Sequence, residues 1–303
     1  MVITRKNETT HSEENSSMDV EIETRASIGL KGVGEMVLDF SITNETVDKT
    51  PSFSGVSQDA WQIDTVLFQS HKDRQMILPE LANCLAVEAF LRMCDLDYDI
   101  EQRSNAEAMS PSLKLPFIKS GRYVIAELEN IVSFVNGRGI SLTDHLDMDQ
   151  KANMRAYMSL ITNVIELAEL YVCWFDEKNY NAVTSVRNGI MYSWPLNHIQ
   201  NRLKKSMVKK KLKAMEWYQK NIDDVCLDVE NCCEALNVRF DQGPYFFGSK
   251  PTQLDALVFG HLFAILTVDL PNNILRLIVE KYPELIEFVQ KIDKEYFQKL
   301  ELE

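Results

Sequence analysis

Two hydrophobic patterns follow one another from residue 61 onward. The short apolar run from Thr65 to Phe68 predicts a buried strand. A helical period comes next, with apolar side chains at Leu81, Cys84, Val87, Leu91 and Cys94. A short extended stretch around Ile100 follows it. This part of the chain therefore predicts a strand, a helix and a second strand.

A predicted hairpin completes this region. Phe117-Ile118 and Tyr123-Val124-Ile125 are apolar runs on either side of a Ser120-Gly121 turn. A second helix is predicted from about Glu127 to Val135. The order βαβ and then ββα is that of a small thioredoxin-like layer of the α/β class.

Beyond Gly137 and Gly139 the strand patterns end and long helical periods take over. One of them carries apolar residues opposite a row of acids, at Ile222, Val225, Val229, Cys232, Leu236 and Phe240. The segment from Leu254 to Leu270 is very apolar, but it is shorter than the ~20 residues of a membrane span. We expect an all-helical second domain, this segment as a buried core helix, and no membrane-spanning helix.

These patterns divide the chain. Residues 1–60 are rich in Ser, Thr, Asn and Glu and predict a mostly disordered acidic tail, in which 37–42 is a candidate strand or docking segment. We expect the thioredoxin-like domain at residues 61–138, a linker at 139–148 and the all-helical domain at 149–303.

The composition limits the class of partner and the compartment. A formal net charge of -13 argues against nucleic acid as a partner, because phosphate contacts need a basic face. The six cysteines include no CxxC pair, so we interpret them as small core hydrophobes in a reducing compartment.

The N-terminal segment is too acidic for a matrix-targeting peptide. The chain shows neither an N-terminal Met-Gly nor a C-terminal prenylation box, so we expect a partner to supply any stable anchoring.

Leu115-Pro116 directly precedes the strand that begins at Phe117. A thioredoxin-like fold places a cis-proline there, which leaves backbone groups exposed for pairing with a bound peptide. An ordinary proline at the start of a strand is the alternative, and the dipeptide alone does not separate the two.

Thr252 and Asp255 stand three residues apart at the start of the very apolar segment. This spacing predicts a capping box, in which the Thr252 hydroxyl accepts from the N–H of Asp255 and the Asp255 carboxylate accepts from the N–H of Thr252. A helix buried on every side has no water for its first N–H groups, so the cap should contribute about 1 kcal/mol or more. After a thioredoxin-like layer, this box resembles the N-capping box of the core helix in glutathione-transferase C-terminal domains.

Several longer stretches carry a more specific resemblance. They are Asn105–Pro111, Lys114–Ile118, Trp194–Ile199, Pro244–Phe247 and Pro251–Leu262. Together they resemble the metaxin family, and the match runs from about residue 61 to Phe297. The tail before residue 61 takes no part in it.

The resemblance implies a function as well as a glutathione-transferase-like fold. Metaxins are associated with the mitochondrial outer membrane on its cytosolic face and act with the sorting and assembly machinery, the SAM complex, which inserts β-barrel precursors. The resemblance therefore implies a non-enzymatic subunit of a protein import and assembly complex. Its implied partners are a tail-anchored metaxin-1-like paralogue in a heteromeric complex, SAM subunits and β-barrel precursor proteins. Attachment would be peripheral, and family members are also linked to mitochondrial attachment to transport motors.

A glutathione-dependent transferase or peroxidase is the main alternative, and a cytosolic regulator that keeps only the fold is a third. A transferase needs an activated Tyr, Ser or Cys after its first strand; here only Ser70 is available, at a polar turn where serines are more often solvated. Transferases also place an acid followed by serine after the hairpin, where the hydroxyl and helix N-terminus grip the γ-glutamyl carboxylate. Here Glu127 is followed by Leu128, which cannot donate, so we expect neither catalysis nor a cofactor.

A basic cluster stands out in this acidic chain, at Arg202, Lys204, Lys205, Lys209, Lys210, Lys211 and Lys213. An amphipathic helix with a dense cationic face is predicted by the apolar residues that recur through it, at Leu203, Met207, Leu212 and Met215. Such a face is a candidate contact for anionic lipid headgroups or for an acidic partner. The alternative is a solvated face balanced by acids such as Asp223 and Asp224.

Trp194 and the histidines are two further features that could belong to a functional site. Trp194 before Pro195 is either part of a recognition loop or a packing anchor between helices. Histidines show no metal-ligand spacing, at His71, His145, His198 and His261, so no metal is expected.

Overall fold

The computed structural model describes residues 60–240 and 243–298. The tail predicted at residues 1–60, with its candidate segment at 37–42, lies outside the described residues except for Ala60. The two layers described below belong to one compact unit, Ser52–Glu303.

An α/β layer occupies the first part of the described chain. Its strands are β1 Val66–Gln69, β2 Asp99–Gln102, β3 Phe117–Ser120 and β4 Tyr123–Ala126. Its helices are α1 Leu78–Met93, α2 Ala106–Met109 and α3 Leu128–Asn136. The strand order is β2-β1-β3-β4, with β1 and β2 parallel and the other pairs antiparallel. The predicted thioredoxin-like layer is confirmed; the sequence patterns did not predict the short α2.

The sheet is apolar on both faces because its strands alternate between two separate clusters. Leu67 and Ile118 are fully buried on the face that packs against α1 and α3. Phe68 and Phe117 belong to the other cluster, where their rings stack with centroids 4.8 Å apart. When a sheet is buried on both faces, the sequences of its strands are short continuous apolar runs, which explains the pattern seen in this sequence.

The rest of the described chain is helical, which confirms the predicted all-helical region. Its helices are α4 Met148–Leu160, α5 Glu166–Trp174, α6 Glu177–Asn179, α7 Ser185–Gly189, α8 Leu196–Ala214, α9 Ile222–Phe240, α10 Gln253–Thr267, α11 Ile274–Val279 and α12 Pro283–Tyr296. Two π-helical turns lie at Ile161–Ile165 and Tyr180–Thr184, and a 3₁₀ turn lies at Trp217–Gln219. The apolar stripe predicted for α9 is buried at Val225, Val229, Cys232 and Leu236.

We expected no helix that is long and apolar enough to span a membrane. This expectation is wrong, because one helix of the described chain meets both criteria. From α4 through a π-helical turn to α5 the chain forms one helix of 27 residues, Met148–Trp174, which meets both criteria. The sequence pattern missed it because polar residues such as Thr162 and Asn163 interrupt the apolar run. Ile161, Ile165 and Trp174 from this helix are buried in the protein core.

Helix α10 runs through the centre of the helical layer, and a buried side-chain cap holds its start. Thr252 and Asp255 form a capping box. Asp255 Oδ2 accepts from the backbone N–H and from the hydroxyl of Thr252, each at 2.7 Å. Its Oδ1 accepts from the N–H of Phe246 at 2.9 Å, a bond that the sequence did not predict. Burial raises the pKa of Asp255 to about 6, although the bonds from Phe246 and Thr252 oppose this shift.

Helices α1 and α10 cross in very close contact. A Cβ atom built on Gly260 would lie 2.5 Å from the carbonyl oxygen of Ala82 and 2.5 Å from the backbone nitrogen of Ala86. Only a residue without a side chain fits at that point of α10, and the alanines opposite it keep the two helix backbones near each other. This contact joins the α/β layer to the helical layer.

We predict that Gly260→Ala lowers the free energy of unfolding by about 3 kcal/mol or more, because the new methyl group meets backbone atoms that cannot move aside. Chemical denaturation of the full chain measures the effect.

The matched control is Gly137→Ala, whose added Cβ would meet its nearest atoms at 3.5 Å. It should change stability by no more than about 0.5 kcal/mol. Equal stability of the Gly260 variant and the native chain would mean that the two helices separate without cost.

Candidate functional site

A cleft of about 380 Å³ lies between the α/β layer and the helical layer. The α/β layer contributes Pro116 and Leu128, while Trp174 of α5 and Val208 of α8 form part of the opposite wall. These side chains are apolar or aromatic, so the interior of the cleft suits an apolar or amphipathic group.

The backbone beside Pro116 has the geometry expected of a thioredoxin-like fold. The Leu115–Pro116 peptide bond is cis. The carbonyl of Pro116 accepts from the N–H of Glu127 at 3.4 Å. In the described part of the chain, the N–H and the C=O of Leu115 make no backbone hydrogen bond, and Leu115 lines the cleft. Glu127 itself has a φ of 71°, a strained backbone conformation for a residue with a side chain.

Three lysines at the rim of the cleft pair with carboxylates. The pairs are Lys114 with Glu127, Lys204 with Glu107 and Glu80, and Lys211 with Glu166. The Lys211–Glu166 pair has an N–O distance of 2.6 Å, and Lys204 lies 3.9 Å from Glu80. Lys204 belongs to α8, whereas Glu80 and Glu107 belong to α1 and α2, so these contacts bridge the two layers.

Glu80 is the rim carboxylate with a clearly raised pKa. Burial raises its pKa from 4.5 to about 7. The charge of Lys204 lowers the pKa and the charge of Glu107 raises it. Carboxylates with raised pKa values in clefts are found at functional sites, and they are also found in structural ion-pair networks such as this one.

The remaining lysines of the basic cluster lie away from the cleft. The Lys205 amine lies 3.9 Å from the ring centroid of Tyr180. The amines of Lys209 and Lys213 lie 4.6 Å and 5.2 Å from the ring centroid of Tyr218. Lys210 is exposed. The cluster therefore does not form one cationic face, and its balancing acids at the cleft are glutamates rather than the predicted Asp223 and Asp224.

The helix predicted for the basic cluster is present as α8, but its buried side is not the predicted one. The buried residues of α8 are Asn201, Val208 and Leu212. Leu203 and Met207, expected on the apolar side, are 54% and 59% exposed. Met215 is also exposed and follows the last residue of α8. The helical period was correct, but apolar residues on both sides of the helix concealed which side faces the core.

The cleft lacks the side chains of a transferase. None of the described residues that line it is Ser, Thr, Tyr or Cys. Ser70 does not line it, and Ser70 is buried rather than solvated as expected. Leu128, at the first position of α3 where a transferase carries serine, is buried against the core. Burial raises the pKa of the thiols of Cys94 and Cys173 to about 12, which keeps them protonated and unreactive at neutral pH.

Buried charged groups elsewhere serve packing. Glu88 of α1 accepts from the amide of Gln69 at 2.9 Å and pairs with Lys72 at 3.0 Å. Glu169 and His261 form a buried pair, with 2.9 Å between His261 Nδ1 and Glu169 Oε1. Burial raises the pKa of Glu169. Across residues 60–240 and 243–298 there is no group of three or more His, Cys, Asp or Glu side chains that could hold a metal ion.

Trp194 lies on the surface just before α8. Its side chain is 79% exposed, and the Trp194–Pro195 peptide bond is cis. The packing-anchor interpretation of this residue is therefore wrong, because a buried anchor would contact the core. His198, in the first turn of α8, is exposed and lies outside the cleft.

Three of the four carboxylates of the rim were not singled out in the sequence; the exception is Glu127. Glu80, Glu107 and Glu166 meet α8 only in the folded chain, and Lys204 pairs with Glu107 across 97 residues. Glu80 stands in the first turn of α1, and Glu107 in the first turn of α2. Acids in first turns are common because they favour the helix dipole, so this signal could not have marked the cleft.

The α/β layer, the cis-proline, the helical layer and the cleft between them define a protein of the glutathione-transferase class. Residues 82–179 match the family model described as glutathione S-transferase N-terminal domain, and residues 229–292 match the glutathione S-transferase C-terminal domain model. A solved glutathione S-transferase from Sinorhizobium meliloti superposes with a TM-score of 0.50 at 10% identity, over 79% of this chain and 93% of that chain. At that identity the likeness shows the fold alone.

Closer relatives identify the family. Human Metaxin-2 is 47% identical over 238 residues, 78% of this chain and 90% of the relative. The Metaxin-2 homolog of Caenorhabditis elegans is 34% identical over 69% of this chain and 90% of its own length. Mouse Metaxin-1 is 28% identical over 63% of this chain and 62% of its own length. The chain belongs to the metaxin family, as the resemblance of its motifs predicted.

We predict that Glu80→Gln stabilises the protein more at pH 8 than at pH 5. The folded-state pKa of Glu80 is raised from 4.5 to about 7, so between these values the folded chain binds more protons than the unfolded chain. The contribution of Glu80 to stability therefore falls as pH rises through this window. A neutral glutamine does not lose stability in this way.

Chemical denaturation of both proteins at the two pH values gives the difference. Glu101→Gln, which also neutralises one carboxylate but lies in β2 and outside the cleft, is the matched control. The same effect of Glu80→Gln at both pH values would contradict the raised pKa.

Proposed function

We propose that this chain is a non-enzymatic subunit of a protein import and assembly complex in the mitochondrial outer membrane. In this role it acts with the sorting and assembly machinery that inserts β-barrel precursors, and it lies peripherally on the cytosolic face. The identity of 47% to human Metaxin-2, over 90% of that relative, is the observation that carries the proposal. The metaxin resemblance supplies the compartment and the complex.

The absence of catalysis is part of the proposal, and the chemistry of the cleft supports it. Glutathione conjugation needs a hydroxyl or thiol that activates the glutathione sulfur, and a donor for the γ-glutamyl carboxylate. The described residues of the cleft offer neither, since Leu128 stands in the place of the donor. The rim amines of Lys114 and Lys211 are engaged by carboxylates. Nothing in this arrangement favours the transferase or peroxidase alternative.

Attachment through a partner is the second part of the proposal. The partner is a tail-anchored metaxin-1-like paralogue, and the 28% identity of this chain to mouse Metaxin-1 supports a partner of related sequence. The one helix of the described chain that is both long and apolar enough for a membrane span contributes to the core, which is consistent with peripheral attachment. A stable complex of this kind needs a total buried interface of ~1,200 Å² or more.

We also propose the domain division of the sequence, with an α/β domain at 61–138, a linker at 139–148 and a helical domain at 149–303. The helix α3 ends at Asn136 and α4 begins at Met148, and no helix or strand lies between them in the described chain. The close contact between α1 and α10 means that the two domains would not move independently.

We predict that the purified chain is not retained on immobilised glutathione and does not conjugate glutathione to an electrophile. The cleft lacks the hydroxyl and thiol groups that both processes need. A known glutathione transferase, carried through the same steps, is the positive control. Retention of this chain, with a conjugating activity that is lost on Ser70→Ala, would establish the enzyme alternative.

We predict that alkaline carbonate releases the protein from isolated mitochondria, because a partner rather than a spanning helix holds it there. Protease added to intact mitochondria should digest it, and depletion of the tailed paralogue should lower its level. Resistance to carbonate, or full protection from protease in intact organelles, would refute the placement on the cytosolic face.

A further inference from the structure

The surface around α8 holds an unusual share of the exposed apolar side chains. Of the 19 large hydrophobic residues exposed in the described chain, ten lie between Val186 and Met215. They are Val186, Ile190, Met191, Tyr192, Trp194, Leu196, Ile199, Leu203, Met207 and Met215. Scattered exposed hydrophobics are ordinary, but a contiguous concentration of them marks an interaction surface.

Four of these residues form a stripe along one exposed side of α8, and one of them, Met207, also lines the cleft. Leu196, Ile199, Leu203 and Met207 follow one another at intervals of three or four residues, which places them on one side of a helix. They are between 45% and 59% exposed. The core side of α8 is occupied by Asn201, Val208 and Leu212. We call this stripe, together with Trp194 just before the helix, the outer face of α8.

The segment of the chain that carries the outer face has only basic charges. The helix α8 carries seven basic residues and no acidic ones, and no Asp or Glu occurs from Lys178 to Met215. In a chain with a net charge of -13 this is a strong segregation of charge. Lys204 and Lys211 are engaged at the cleft, but in the described part of the chain Arg202 and Lys210 make no ion pair.

We propose that the outer face of α8 binds directly to the surface of an anionic lipid bilayer, with Trp194 and the apolar stripe inserted at the level of the headgroups. A helix that lies in the plane of a membrane has apolar side chains on one side and Lys or Arg beside them. Long basic side chains extend their charged ends to the phosphates while their stems stay in contact with apolar groups. Exposed Trp and Tyr favour the same depth of the membrane.

Lipid fits this surface better than a protein partner does. Protein interfaces are depleted of Lys relative to the rest of the surface, whereas six of the seven basic residues of α8 are lysines. Anionic membranes attract each basic residue near their surface by ~1 kcal/mol. A second copy of this chain is a poor occupant because it would bring another seven positive charges against the first seven.

This inference goes beyond the proposed function because it concerns a direct contact with lipid, and vesicles test it without any mitochondrial component. The paralogue and the outer face would act as two separate attachments. Single weak attachments to a membrane are reversible, and two together give stable binding. Failure of the vesicle test would leave the proposed subunit role intact.

The experiment is flotation of the full chain with vesicles of phosphatidylcholine alone or with about 30% anionic lipid. The native chain should float with the anionic vesicles at low salt and dissociate at high salt, because salt screens the attraction. Two variants test the surface. The apolar variant is Ile199→Ser, Leu203→Ser and Met207→Ser, and the charge variant is Arg202→Gln, Lys209→Gln, Lys210→Gln and Lys213→Gln.

Each variant should reduce binding at least about tenfold. The apolar control is Leu227→Ser with Val238→Ser, two exposed residues of α9. The charge control removes the same number and type of charges elsewhere, by Lys119→Gln, Arg155→Gln, Lys250→Gln and Lys294→Gln, at exposed positions. Both controls should bind as the native chain does. Circular dichroism and thermal unfolding establish that all four variants are folded.

Trp194 supplies a direct readout of insertion. It is 79% exposed, whereas Trp174 and Trp217 are buried. Its emission should shift to shorter wavelength on anionic vesicles and be quenched by brominated lipid, and Trp194→Phe should abolish this component. Absence of binding to anionic vesicles at low salt would overturn the proposal. Vesicle binding that both variants retain, with loss of a co-purifying protein instead, would also overturn it and identify a protein interface.

Discussion

The close contact between α1 and α10 fixes the relative position of the two layers. Gly260 brings the backbone of α10 against Ala82 and Ala86, at a distance that no side chain would permit. A second tie lies at the end of α1, where Arg92 donates to the carbonyl of Tyr296 at 3.0 Å and stacks on Phe297. The sheet packs on another side of α1, so its place in the molecule follows from the same contact.

This fixed frame explains how a cleft persists without the chemistry of a transferase. Glu80 lies one turn before the crossing on α1 and lines the cleft, so the opening is a consequence of how the layers meet. The reactive groups are separable from that frame, since α3 forms with Leu128, which has no hydroxyl, at its first position. Lys204 joins α8 to α1 and α2 across the rim through its pairs with Glu80 and Glu107. A ligand that entered the cleft at this point would have to displace Lys204.

The strands, the capped start of α10 and the overall class could be predicted because they depend on local patterns. Short apolar runs and helical repeats identify strands and helices, and Thr252 with Asp255 identifies a cap, within a few residues of sequence. The orientation of α8 could not be predicted in the same way. Leu203 and Met207 on one side compete with Val208 and Leu212 on the other, and the helical repeat alone does not tell which pair meets the core. The contacts of the rim depend on residues far apart in sequence, for which a single sequence gives no signal.

The orientation of α8 also explains why its basic residues have different roles. Lysines that point towards the cleft, such as Lys204 and Lys211, meet glutamates and hold the layers together. Those beside Tyr180 and Tyr218 lie against aromatic rings. Arg202 and Lys210 make no ion pair in the described part of the chain, and most of the apolar stripe stays in water unless something covers it. Ion pairs at the cleft explain the first group of residues, whereas a binding partner is needed to explain the apolar stripe and the basic residues that flank it.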